Sequence, residues 1–201
     1  MAFGDDEFRR RLEKLFDYDR VIRSHAIYEA TAIEGMVETL IAIHFCPNKQ
    51  KHLSFVSLLF GRGEVPFSKK IDILQHLLQT DYPDILKTVP ELINELNSLR
   101  RFRNKLAHHE LVTEEDKLES TPSGIWLRSV NRNGKVVEEF ISSTHADKIL
   151  KNAVLLRCKI LYVQSEVFER SSGGQTNEYK GVWESLGTIA KEVLELKKGG
   201  T

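Results

Sequence analysis

The chain has little that would tie it to an oxidising compartment, a membrane or a polyanion in bulk. Only two cysteines, Cys46 and Cys158, occur in 201 residues, too few for a disulfide framework. Each sits in an apolar helical context, which suits a reduced core thiol. No apolar run reaches the roughly 20 residues that span a bilayer, and the opening Asp5, Asp6 and Glu7 lack the basic and apolar parts of a secretion signal. Lys plus Arg equals Asp plus Glu at 29 each, so any attraction to nucleic acid must come from local clustering. Gly61-Arg62-Gly63 is not followed by Lys-Ser/Thr, which argues against a P-loop nucleotide triphosphatase. Neither a glycosidase-type acid pair nor a His-x-x-x-His metal pair near the central histidines can be read from the residues. The expectation is a cytoplasmic protein with no cofactor, no metal and no membrane partner.

What is present is helical periodicity. At 41% hydrophobic residues the length suits one mainly helical domain over 1–172, followed by a flexible joint and a C-terminal amphipathic helix over 173–201. A charged helix is expected from Asp5 to Phe16 and a longer one from about Asp19 to Phe45, ended by Pro47-Asn48. Leu53 to Phe60 reads as a short helix, and Ser68 as the cap of another running through Leu78, with Lys69 and Lys70 solvated beside it. A turn at Ile85 to Val89 leads into a helix from near Pro90 to His109. Glu114, Glu115 and Asp116 read as a solvated acidic loop.

One segment breaks the helical pattern. Ile125 to Val130 and Val136 to Ile141 alternate around Asn133-Gly134, the signature of a two-residue hairpin turn. This predicts an inserted β-hairpin over about 124–142 with Trp126 opposite Ile141, Arg128 opposite Glu139 and Val130 opposite Val137. A last long core helix follows from His145 to Arg170, then Ser171-Ser172-Gly173-Gly174 as the joint, and a helix from Val182 to Leu196 that packs in cis or in a dimer contact.

The most telling feature lies in the helix that ends at His109. Leu92, Leu96, Leu99 and Leu106 recur at helical spacing and define one apolar stripe. Arg103 falls near its centre, Arg100 on the same side, and Asn104 and His108 one turn apart along its rim. A guanidinium in a core-facing stripe is expensive unless it is paired or lines a cleft or interface. Arg100, Arg101, Arg103 and Lys105 also place four cations within six residues.

The run Arg103-Asn104-Lys105-Leu106-Ala107-His108 resembles the Arg-Asn-x-x-x-His signature of HEPN domains. These are all-helical modules that include many metal-independent RNA-cleaving toxins and defence proteins. The resemblance covers Asp19 to Arg170, with only this helix matching residue by residue, and it implies a HEPN-like helical bundle with paired signatures in a composite site at a homodimer interface. Glu110 stands where one subgroup has an adenylyl-accepting tyrosine, which argues against membership of that subgroup. A toxin or phage-defence role, with an antitoxin or other regulatory protein as partner, is implied by the resemblance alone.

RNA carries its own nucleophile, the 2′-hydroxyl. Cleavage without metal therefore needs a base, an acid and charge stabilisation at phosphorus. His108 suits the acid/base role, Arg103 can fork onto phosphate oxygens, and Asn104 can orient the imidazole or hold a sugar or phosphate oxygen. Arg100 and Lys105 would track the RNA backbone. A single histidine for two proton transfers is what a two-fold dimer would remedy. Two other readings stand beside this one. Arg103 could tie helices through Glu29, Glu34 or Glu38, and the helix could serve a non-catalytic dimerisation, protein-interaction or RNA-binding module. Trp126, Phe140 and Trp183 read as packing residues before base-stacking ones.

Overall fold

A computed structural model describes residues 5–46, 48–61, 63–120, 123–171, 185 and 187–189. It is mainly helical, with a small antiparallel sheet. The chain opens with α1 (Asp5–Phe45), α2 (Lys49–Leu59), α3 (Phe67–Thr80), α4 (Pro83–Thr88) and α5 (Leu92–His108). It continues through β1 (Glu110–Leu111), α6 (Glu115–Ser120), β2 (Gly124–Val130), β3 (Val136–Ser142) and α7 (Ser143–Ser171). Contacts resolve the chain into two compact units, Met1–Ala30 with Arg101–Lys151, and Thr31–Arg100 with Asn152–Thr201.

Four expectations are corrected at this level. The two helices expected before Pro47 are one, because Asp17-Tyr18 offers neither proline nor glycine, and side-chain pairs bridge the junction: Arg20 meets Asp17 at 3.0 Å and Arg23 meets Asp19 at 2.7 Å. Ser68 is not a cap, since the residue before α3 is Pro66 and no side chain caps that end. The acidic stretch at Glu115 is the helix α6, with its carboxylates in the first turn where the helix dipole favours them. Cys46 and Cys158 are free thiols but only half-buried.

In the first unit, a three-stranded sheet of order β1-β2-β3 packs its inner face on helices. Ile125 and Leu127 of β2 and Ile141 of β3 join Ile22 and Ala26 of α1, Phe102 and Leu106 of α5 and Ala146 of α7 in one buried cluster. Strand β1, which the sequence reading missed, pairs Glu110 with Arg128 and Leu111 with Leu127. The hairpin forms over the expected range, but its register is one residue from that expected. Trp126 faces Phe140, Arg128 faces Glu138 and Val130 faces Val136.

The cause of the slip is the turn. Asn131 N donates to Lys135 O and Gly134 N to Asn131 O, both at 2.9 Å, so the loop is Arg132-Asn133-Gly134, closed by Gly134 at φ 74°. The Asn131 side chain favours this longer turn, because its Oδ1 accepts from the amides of Asn133 and Lys135. A one-residue shift sends alternate side chains to opposite faces. Here it places Ile125 opposite Ile141 on the core side, and stacks Trp126 on Phe140 with ring centres 5.3 Å apart.

The second unit is built on α1, α3, α4, α5 and α7. Ile33, Val37 and Leu40 of α1, Ile71 and Leu74 of α3, and Ile160 and Val163 of α7 are all buried. Within this apolar set lies Lys70, only 3% exposed, against the expectation that it is solvated. Its ammonium donates to Glu34 Oε1 and Glu38 Oε1, each at 2.5 Å. Burial alone would push this lysine down, but the two carboxylates more than offset that and hold it above the ordinary lysine value. Gln164, also buried, donates to Met36 O at 2.7 Å. Trp183, the joint after Ser171 and most of the expected Val182 to Leu196 helix lie outside the described residues. Those described, Ser185 and Gly187 to Ile189, are helical. A Cβ at Gly187 would overlap the Ser165 side chain, so this position approaches α7 closely.

Removing the cation from Lys70 leaves two carboxylates half-buried side by side. We expect Lys70→Ala to lower unfolding free energy in urea by about 3–5 kcal/mol. Lys70→Met combined with Glu34→Gln and Glu38→Gln should recover a large part of that loss.

Candidate functional site on the signature helix

Helix α5 buries Leu92, Leu96, Leu99, Phe102 and Leu106, each 3% exposed or less. The expected stripe is therefore real, and Phe102 widens it towards the first unit. Arg103, flanked along the stripe by Leu99 and Leu106, is half-buried rather than enclosed. Its Nη1 donates to Asn104 Oδ1 at 3.0 Å, and among the described residues it has no carboxylate partner. Glu34 and Glu38, two of the acids that would have made it a structural tie, hold Lys70 instead. The pairing with a neutral amide leaves the guanidinium charge uncompensated and the Asn104 amide nitrogen free to donate elsewhere.

The other candidates are placed unevenly. His108 is exposed in the last turn of α5 and makes no hydrogen bond among the described residues. Lys105 is not a free cation: its Nζ meets Glu139 Oε1 at 2.6 Å, with both side chains about two-fifths exposed. Such a surface pair is worth little, so a phosphate can compete for the ammonium. Arg100 belongs to the second unit; it is half-buried, and its Nε is out of solvent without a hydrogen-bond partner among the described residues. Among the described residues no three His, Cys, Asp or Glu side chains converge as metal ligands.

The end of α5 is fixed by a residue that the sequence reading passed over. Arg23 Nη1 donates to Leu106 O, and to His109 O at 3.2 Å. Its Nε is held by both carboxylate oxygens of Asp19 at 2.7 Å. A cation on the final carbonyls satisfies orphan acceptors and lies at the negative end of the helix dipole. The pair is mostly shielded, at 21% exposure for Arg23 and 14% for Asp19, so it feels less screening than a surface bridge. Its signal was present: Asp19 and Arg23 lie on the side of α1 that carries Ile22 and Ala26, the same anomaly that marks Arg103.

His109 was also passed over. It is half-buried, and burial holds its imidazole below the ordinary histidine value, with Lys105, His108 and Arg23 pushing the same way and Glu139 opposing. The strand pairing that follows is itself charge-laced: Arg128 bonds Glu138 at 2.6 Å and also reaches Glu114. Lys117 sits 4.2 Å from the Trp126 ring centre. These pairs account for the near-neutral character of the surface beside the signature.

No protein-family model matches the chain, and searches of curated proteins and of solved structures return no match.

Two outcomes follow from this geometry. Replacing Arg23 with Met should cost about 1.5–3 kcal/mol, the scale for a hydrogen bond to a charged group, and should raise amide exchange in the last turn of α5 beyond that elsewhere in the helix. The second concerns pH. An unfolded His109 takes up a proton near pH 6.5, whereas the folded one resists it, so the unfolded state binds more protons and stability falls as pH drops below 6.5. The urea midpoint of His109→Gln should lose that part of the decline, measured against wild type across the same pH series.

Proposed function

We propose that the chain is a metal-independent endoribonuclease of HEPN type, with a composite active site formed where two copies of α5 meet. His108 serves as acid/base, Arg103 stabilises charge on the phosphorus oxygens, and Asn104 orients the guanidinium through its amide oxygen. Arg100 and Lys105 add backbone contacts. The observation that carries this reading is the state of Arg103. It occupies a core-facing stripe, is left partly open to solvent, and is met by Asn104 and not by an acid. A guanidinium held in this way keeps donors for a phosphate.

The proton transfers follow from symmetry. One protomer offers one exposed imidazole near the cation, and a second copy supplies the other. One His108 then takes the 2′-hydroxyl proton while its counterpart donates to the 5′-oxygen that departs. The products would be a 2′,3′-cyclic phosphate and a free 5′-hydroxyl. A second reading, a non-catalytic dimerisation, protein-interaction or RNA-binding module, is favoured by one observation: no hydrogen bond orients His108 among the described residues of its own protomer.

The deciding experiment incubates the full chain with mixed cellular RNA in excess chelator. New ends bearing 2′,3′-cyclic phosphate are expected, and His108→Ala should reduce their appearance by about 100-fold or more while circular dichroism stays unchanged. Arg103→Ala should do the same. A folded dimer that leaves RNA intact supports the module, and undiminished cleavage by His108→Ala removes the assignment.

A further inference from the structure

The first unit also holds a cavity that the signature helix does not line. It has a volume of about 520 Å³, within the usual range for small-ligand sites, and is bounded by α1, α6, the start of β2 and the start of α7. Arg11, Lys14 and Tyr18 project into it from one side of α1, spaced at helical intervals, with Leu15 beside them. Leu118 of α6 forms a second apolar wall, and Ser123 and Ser143 supply hydroxyls. Lys14 lies nine residues before Arg23 on α1, about 14 Å along the helix axis, so this region is separate from the end of α5.

The cavity is polarised. Towards the N-terminus of α1 it presents the two cations; Arg11 is shared with the exposed Glu7 at 2.9 Å. The first turn of α7, a helix of 29 residues, adds its positive end. That turn is fixed by Ser143 N donating to Ser123 O at 3.1 Å and His145 N donating to Ser142 Oγ at 3.2 Å. Among the described residues no carboxylate lines the space. Tyr18, one turn beyond Lys14, has a hydroxyl out of solvent contact with no hydrogen-bond partner among the described residues. Burial, with the Asp147 carboxylate nearby, holds that phenol above its ordinary value, so it remains a donor. A cationic rim and a neutral donor beyond it, between aliphatic walls, match a ligand with an anionic end and an uncharged polar body.

We propose that this cavity binds a small phosphorylated sugar ligand of nucleoside monophosphate size. The phosphate sits against Lys14, Arg11 and the first turn of α7, and the uncharged body lies between Leu15 and Leu118 with an acceptor for Tyr18. The inference is independent of the nuclease reading, because none of its residues belongs to the signature.

Isothermal titration of the full chain with AMP, UMP, adenosine and inorganic phosphate tests it. One of the two nucleotides should bind in the micromolar to submillimolar range, with adenosine and inorganic phosphate each weaker by about tenfold or more, the loss of a charge-assisted contact or of the body. Lys14→Glu, an exposed substitution, should weaken the nucleotide by about tenfold or more, and Tyr18→Phe by about three- to tenfold with the urea midpoint unchanged or raised. Absence of binding by both nucleotides overturns the proposal, as does binding indifferent to Lys14→Glu. Inorganic phosphate binding as tightly as AMP overturns the nucleotide-sized ligand. Should Tyr18→Phe fail to fold, Lys14→Glu alone decides.

Discussion

The first unit depends on where α5 stops, and one guanidinium decides that. Arg23 lies across the last carbonyls of α5 and is locked by Asp19 from one turn earlier on α1. With those acceptors satisfied, the helix ends at His108, and the chain turns at once into β1, whose Glu110 and Leu111 pair with β2. That pairing places Leu127 against Leu106 and Phe102 in the buried cluster, and the hairpin is carried there with it. A two-strand hairpin is marginal alone; a third strand and a helical floor make it stable. The orientation of the signature and the existence of the sheet are thus consequences of the same ion pair.

Periodicity made the helices legible because their stripes are wide and unambiguous. The leucines of α5 and the long apolar faces of α1 and α7 needed no tertiary information. What escaped was decided by single local contacts. The hairpin register turned on Asn131 accepting two backbone amides, which made the turn a residue longer than Asn133-Gly134 suggests. The strand β1 is only two residues long, too short to show alternation. Lys70 looked solvated because a helix start is a common place for lysine, and only the position of Glu34 and Glu38 one turn apart on another helix reveals that it is enclosed. In the candidate site, the stripe and the intrusion of Arg103 were readable. The engagement of Lys105 by Glu139 was not, because the partner comes from the far strand of a hairpin whose register had to be known first.

A neutral sum of charges hides a strong local organisation. Arg128 is shared between Glu114 and Glu138, Lys117 between Glu138 and the Trp126 ring, and Lys105 is taken by Glu139. These contacts tie α6 and the hairpin to the end of α5, and they leave the signature with less free positive charge than its sequence suggests. Affinity for a polyanion at this place would therefore rest on a small number of donors rather than on a broad basic field, and its salt dependence would be correspondingly shallow.

Three cations face towards apolar surroundings, and the way each is compensated separates structure from function. Lys70 is enclosed by two carboxylates, an arrangement complete within the fold. Arg23 divides itself between one carboxylate and two helix carbonyls, again leaving no demand for an outside partner. Arg103 has only the amide of Asn104 among the described residues, and it alone of the three keeps a face open to solvent with its charge unanswered. A fold that neutralises two inward cations so fully has the means to neutralise a third. Leaving Arg103 with a neutral neighbour, next to an exposed imidazole, is an arrangement that stability does not call for and that an incoming anion would complete.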